Sequence, residues 1–235
     1  MIPPTAVVIP FRDRGTDPLR AENLQRVLDS WDGFPGTIIV AEDARTGDAQ
    51  FNRSAAYNRG VDQAGPAEVI VFAESDMLIR APQVVRAIRM AADAPGLVIP
   101  FTQYRYLSAA DSARVRAHQV SPEQCIPERT MDNGTSIGAI NVVSRGSLVA
   151  VGQWDETFEG NWYDDNAMRI AFELAAGPTR WVKGPADHLY HLPGWTGDHL
   201  TDADRAATDA NRQRLKLYQH AETVGRILEL TSGAA

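Results

Sequence analysis

The chain has 235 residues, 44% of them hydrophobic and 23% charged, with a formal net charge of -7 at pH 7. These are ordinary globular values with enough chain to bury a core, and the negative charge argues against general attraction to nucleic acid or anionic membrane. The single cysteine, Cys125, excludes an intramolecular disulfide and a thiolate-rich metal site.

The opening "MIPPTAVVIPF" has no basic segment, and its apolar run is too short for a signal peptide or a membrane span; a soluble, cytoplasmic protein is expected. "TAVVIP" (5–10) reads as a buried strand. "DPLRAENLQRVLDSW" (17–31) reads as a helix, with Leu19, Leu24, Val27, Leu28 and Trp31 at helical spacing and Pro18 in the first turn. "GTIIVAED" (36–43) is a second strand, "NRSAAYNRGVDQAG" (52–65) a small-residue helix closed by Gly65, and "AEVIVFA" (67–73) a third strand. "PQVVRAIRMAADAPG" (82–96) reads as a helix and "GLVIPFT" (96–102) as a strand. This alternation predicts an α/β fold with a mostly parallel central sheet and helices on both faces.

Periodicity is lost over 103–135, a stretch with several arginines, Pro122, Pro127 and the start of the "MDNGTS" turn; it reads as irregular or mobile. "IGAINVV" (137–143) resumes strand character. Residues 145–177 predict two short helices separated by an aromatic and acidic loop, and "TRWVKGPADHLYHLPG" (179–194) alternates like edge strands. Residues 202–230 predict one long terminal helix with Leu217, Ala221, Val224 and Leu228 as its apolar stripe. No linker marks a domain boundary, so one domain over 1–235 is expected.

In open α/β sheets, ligands bind beyond the carboxyl ends of the strands. Polar clusters fall at three such ends: Arg12, Asp13 and Arg14, then Glu42 and Asp43, then Glu74, Ser75 and Asp76. Each alone reads equally well as a solvated loop. Glu74 and Asp76, two apart, face the same way in an extended segment and are hard oxygen ligands suited to Mn²⁺ or Mg²⁺. His188 and His191 are the other candidate ligands. On a regular strand they would face opposite sides, so joint ligation needs a turn. Asp164 and Asp165, in "EGNWYDDNAMR", sit at a helix start, where the helix dipole stabilises carboxylates. They could equally present a general base beneath Trp154, Phe158, Trp162 and Tyr163, residues able to stack on a sugar or to fill the core.

In order along most of the chain, these stretches resemble the GT-A glycosyltransferases, and most closely the β1,4-galactosyltransferase family with its carboxyl-terminal motif. "VIPFRDR" (8–14) is similar to that family's "IPFRNR", and "FNRSAAYNRG" (51–60) to its "FNRAKLLNVG". "VFAESDMLI" (71–79) stands where the family has "FSDVDLIP", and 137–169 resembles its galactosyltransferase motif. "HLYH" (188–191) stands where the family places two metal ligands. The resemblance implies a soluble bacterial or phage type with a nucleotide-binding half (1–101) and an acceptor-binding, metal-completing half (102–235). It implies that Pro10, Phe11, Arg12, Arg14, Phe51 and Arg53 contact the donor nucleotide and diphosphate, with Glu42, Asp43, Glu74 and Ser75 near them. Asp76, His188 and His191 would hold Mn²⁺ or Mg²⁺. Asp165 would be the catalytic base, Asp164 would contact sugars, and Trp162 and Tyr163 would line the acceptor side.

The implied activity is metal-dependent, inverting transfer of a hexose from a nucleotide-sugar donor, UDP-linked by the resemblance, to a glycan, protein or small-molecule acceptor. No nucleic acid partner or membrane span is expected. Two residues and one stretch depart from the family pattern: Glu74 replaces Asp, His188 replaces Met, and "GNWY" replaces "GWGG" with one residue fewer before the acidic pair. Two other readings share the strand-end carboxylates. A nucleotidyltransferase acting on a sugar phosphate usually has a glycine-rich basic loop after the first strand, and Gly15 is the only glycine there. An inactive carbohydrate- or nucleotide-binding module would bind donor without releasing nucleoside diphosphate.

Overall fold

Strand β1 (Thr5–Pro10) has all six residues buried, as its run without a charged residue, rich in β-branched side chains, requires of a strand covered on both faces. It is shown so in a computed structural model that describes residues 1–132, 137–194 and 196–233. Helix α1 (Pro18–Ser30) carries the chain to β2 (Thr37–Ala41), and α2 (Arg53–Gln63) to β3 (Val69–Ala73). Both strands pair parallel to β1, with Val7 opposite Ile38 on one side and Val71 on the other. The carboxyl ends of β1, β2 and β3 therefore share one edge of the sheet.

Beyond β3 the chain turns away at Glu74–Asp76 and enters a short strand, β4 (Met77–Ile79). Helix α3 (Ala81–Asp93) and β5 (Val98–Ile99) follow; β5 is shorter than the expected 96–102. The main sheet is completed by β8 (Ile140–Ser144) and β9 (Arg180–Trp181), in the order β2-β1-β3-β8-β5-β9, after β6 (Gln103–Tyr106) and β7 (Arg129–Met131), which lie elsewhere. β8 alone runs antiparallel to its neighbours, and Ala73 pairs with Ile140. That reversal brings the start of β8 to the edge where β3 ends.

A second sheet has the order β4-β10-β6-β7, where β10 is Pro185–His188. It corrects two expectations. The stretch 103–135 is not irregular through its described part: it holds β6, helix α4 (Ala109–Arg116), a 3₁₀ turn at 122–124 and β7. Each element is too short to show a period; residues 133–135 of that expectation lie outside the described residues. Nor are both strands of 179–194 edge strands. β9 is, but β10 lies inside its sheet, paired with both β4 and β6. The acidic segment Glu74–Asp76 is thus the crossing between two sheets.

Helix α5 (Arg145–Val151) and helix α6 (Asp164–Ala175) match the two expected helices. The terminal helix is two, α7 (Asp202–Gln219) and α8 (Val224–Thr231), broken where Thr223 caps α8 by accepting from the Arg226 N–H. The break resets the helical phase. Leu217, Val224 and Leu228 are consequently about two-fifths exposed, while Leu215, Tyr218, Ile227 and Leu230 are buried. Arg214 joins the pieces, donating to the buried Asp155 carboxylate at 2.8 Å and to the Leu230 carbonyl at 2.6 Å.

Helix α2 lies close on β1 because Gly60 faces it: a Cβ there would sit 2.1 Å from Val8 Cγ1. Gly60→Ala should therefore destabilise the fold by about 1–3 kcal/mol, the usual cost of overpacking a core. A urea midpoint equal to the parent's would contradict this close packing. Among the described residues no helix is long and apolar enough to cross a membrane.

Candidate active site

Asp76 ends the crossing between the sheets and is buried. Its carbonyl accepts from the Leu189 N–H at 2.8 Å, and Met77 lies opposite His188 in the antiparallel ladder. This pairing sets the histidines against the carboxylate. His191 Nε2 is 3.0 Å from Asp76 Oδ2, and His188 Nε2 is 3.9 Å away. β10 ends at His188, so the alternation of a strand no longer applies at His191, and the two rings come together with centroids 4.9 Å apart. His191 Nδ1 lies 2.7 Å from the Leu192 carbonyl, a contact that orients the ring with Nε2 towards Asp76. The Leu192 N–H in turn donates to Asp17, the N-cap of α1, at 2.7 Å.

Burial works to raise the Asp76 carboxyl, but His188 and His191 outweigh it and hold the group below the usual carboxylate range. Burial pushes His188 down to about 4, so its imidazole is neutral at pH 7. One ligand atom from each of the three residues lies within 4.8 Å of the others, and Asp76 Oδ1 is buried with no hydrogen-bond partner. An unpaired buried carboxylate oxygen beside two histidines, one held neutral by burial and the other presenting a ring nitrogen, fits a divalent cation.

The second cluster is built on Arg53, the first residue of α2. Its guanidinium pairs with Glu74, with Asp164 (Nε to Oδ2, 2.8 Å) and with Asp165 (2.7 Å). Burial works against the arginine's charge, but Asp164 and Asp165 more than restore it. Asp165 is pushed up to about 6 by burial; the neighbouring Asp164 adds to the rise and Arg53 opposes it. Gly138, at φ +97°, precedes β8 and passes so close that a Cβ would sit 2.6 Å from Asp165 Oδ2.

Trp162 and Tyr163 precede α6, both at φ +76°, a region L-residues seldom occupy. Asn211 on α7 holds this strained turn. Its side-chain amide donates to the carbonyls of Glu159, Asn161 and Trp162 at 2.7, 3.0 and 3.2 Å. The strain turns Trp162 outward, 48% exposed, into the same cleft.

No protein-family model matches the chain, and no curated protein sequence does. Solved structures do. The catalytic domain of Drosophila β1,4-galactosyltransferase 7 in complex with xylobiose superposes with a TM-score of 0.55 at 13% identity, over 95% of this chain and 84% of that one. A mutant of the same Drosophila enzyme, in complex with manganese, UDP-Gal and xylobiose, gives 0.53 at 16% identity, over 77% of this chain and 65% of that one. The mannosyltransferase of Pyrobaculum calidifontis, in complex with GDP-Man and Mn²⁺, gives 0.53 at 13% identity, over 98% and 70%.

The fold is that of the GT-A glycosyltransferases.

In this GT-A fold the two clusters open on one cleft of about 490 Å³. Pro10, Phe51, Arg53, Glu74 and Ser75 line it, as do Asp76, Tyr163, Asp165 and both histidines. Several sequence-predicted residues do not. Arg12 is turned to Asp43, with Nε 2.8 Å from its carboxylate, and also donates to the Gly47 and Ala49 carbonyls. Asp43 is buried and needs that partner. It also accepts the Asn52 N–H at the start of α2, so the pair shapes the wall behind Phe51. Arg14 donates to the Asp48 carbonyl, Phe11 is only half-buried outside the cleft, Glu42 is exposed, and Asp164 is buried behind Arg53.

Other lining residues escaped the sequence reading. Tyr104 and Tyr106, on β6, have rings 5.8 and 5.2 Å from that of His188. The alternation in "QYRY" was the available signal, since residues two apart share a face. Arg20, Arg129 and Tyr190 carried none.

Proposed function

We propose that this chain is a metal-dependent glycosyltransferase that moves a hexose from a nucleotide-sugar donor, UDP-linked, to an acceptor hydroxyl with inversion at the anomeric carbon. The observation that carries it is the convergence of Asp76, His188 and His191 in a cleft that also presents Asp165 and Trp162. The GT-A likeness supports it, and so do the neighbours whose crystals hold Mn²⁺ with UDP-Gal or GDP-Man. Asp76, His188 and His191 would hold Mn²⁺ or Mg²⁺, whose charge would offset that building on the leaving nucleoside diphosphate. Residues 1–101 supply most of the nucleotide wall, and 102–235 the acceptor side and two of the three ligands.

Asp165 accepts the proton of the acceptor hydroxyl as its oxygen attacks. Arg53 fixes the carboxylate's orientation, the close pass of Gly138 leaves room for it, and Trp162 offers a face for the acceptor sugar. The acceptor is a glycan, a glycosylated protein or a small hydroxylated molecule.

The test is a panel of nucleotide sugars with Mn²⁺ and simple sugar acceptors, read by nucleoside diphosphate release and by the product's anomeric configuration. Release that depends on both acceptor and metal, with inverted product, supports the reading. Binding without release would make the chain a binding module, and a retained configuration would remove Asp165 as base. The profile with pH follows from the raised Asp165 carboxyl. A base must be ionised, so kcat/KM should fall about tenfold per unit below pH 6 and level off above it. A flat profile between pH 5 and 8 would count against Asp165.

A further inference from the structure

Three arginines were expected at the diphosphate, and the structure pairs all three with groups of the protein itself. Arg12 serves Asp43, Arg14 the Asp48 carbonyl. Arg53 is one positive charge facing three carboxylates, Glu74, Asp164 and Asp165, and so offers no net attraction to an anion. A diphosphate entering beside Asp76 and Asp165 needs another cation.

Arg20 lies in the first turn of α1 and lines the cleft. Its side chain makes no hydrogen bond or ion pair among the described residues. It shares that cleft with Asp76, His188 and His191, the candidate metal centre. Its position is rigid relative to that centre, because Asp17 caps α1 at the Leu19 N–H (3.0 Å) and also holds the Leu192 N–H beside His191. The remaining cation on the cleft, Arg129, is held differently: it sits over the Tyr106 ring, 5.4 Å from its centroid, on an edge strand.

We propose that Arg20 is the side chain that binds the donor's diphosphate, an assignment that rests on the nucleotide-sugar reading above. A guanidinium free of protein partners, next to the ligands of a cation, can give paired N–H groups to phosphate oxygens that the cation also attracts. Arg20 acts on binding and on the departing charge, and takes no part in proton transfer.

The experiment is calorimetry of the full chain and its Arg20→Ala, Arg20→Gln and Arg20→Lys variants. Mn²⁺ is titrated alone, then UDP at saturating Mn²⁺, with GDP in parallel. UDP affinity should fall about tenfold or more in the Ala and Gln variants and less in the Lys variant. Affinity for Mn²⁺ alone should stay within about threefold of the parent, since Arg20 is not a ligand. Unchanged UDP affinity in the Ala and Gln variants overturns the assignment. So does a parallel loss of Mn²⁺ affinity, which would mean that Arg20 only supports the ligand loop. A parent that binds neither UDP nor GDP would instead overturn the donor reading itself.

Discussion

Asp165→Asn should cut turnover at least about 100-fold while leaving nucleoside diphosphate affinity near the parent's, because a positioned base contributes about 10²–10⁴-fold. That is roughly 3–5 kcal/mol of barrier. The substitution keeps the shape beside Gly138 and removes only the basicity and one partner of Arg53, which retains Glu74 and Asp164. Melting curves separate lost chemistry from lost fold. The Asp165 carboxyl is raised in the folded protein to about 6, from about 4 unfolded. A raised carboxyl favours the folded state below the unfolded value, and that contribution is lost as pH climbs through about 6. At pH 7.5 the parent carries the cost of a buried, ionised group and the variant does not. Asp165→Asn should therefore melt no lower than the parent at pH 7.5, and the parent should gain on it towards pH 4.5. A variant that kept more than about a tenth of the rate would show that the base lies elsewhere.

Asp76→Ala should abolish metal-stimulated turnover and weaken Mn²⁺ binding by at least about 100-fold, more than the 10–100-fold that outer-shell partners alone typically cost. Asp76 is the one carboxylate of the candidate metal centre, and the only ligand residue that carries negative charge there. Its loss leaves two histidines, of which burial already disfavours charging His188. Stability should follow the opposite course to that of Asp165. The Asp76 carboxyl is held below its unfolded value, so it stabilises the fold above about pH 4 and loses that contribution as pH falls through its lowered value. The Asp76→Ala chain should melt lower than the parent at pH 7, with the gap narrowing in acid. Mn²⁺ stimulation within tenfold of the parent's would place the cation site away from Asp76.

The parts that could be read from the chain are those with local causes. β1 and β3 are uncharged runs rich in β-branched residues, without polar alternation, as burial on both faces requires. Pro18 and Gly65 punctuate α1 and α2 as their backbone chemistry dictates. Asp76 stood out because carboxylates inside an apolar run are costly to bury without partners, His188 and His191 by their close spacing, and Asp165 by its place at a helix start and in the family motif. The second sheet was not legible. Its strands are three or four residues long, too short to show a period, and what makes them strands is pairing across long separations, such as Tyr106 with His188.

The charged residues divide the same way. Arg12, Arg14 and Arg20 are alike in sequence, and nothing local says that the first two satisfy carboxylates and carbonyls of the 43–50 loop while the third stays free. Likewise nothing in "DANRQ" marks Asn211 as the clamp on the strained Trp162–Tyr163 turn 49 residues away. Composition, periodicity and turn chemistry determined an α/β chain with acidic groups at its strand ends, because those signals act between residues within a few positions of one another. The tertiary structure alone decided which strand ends meet, which of these three arginines keeps an unpaired side chain among the described residues, and that two histidines three apart point the same way. Those outcomes depend on where β10 stops and on which distant side chain meets each charge first.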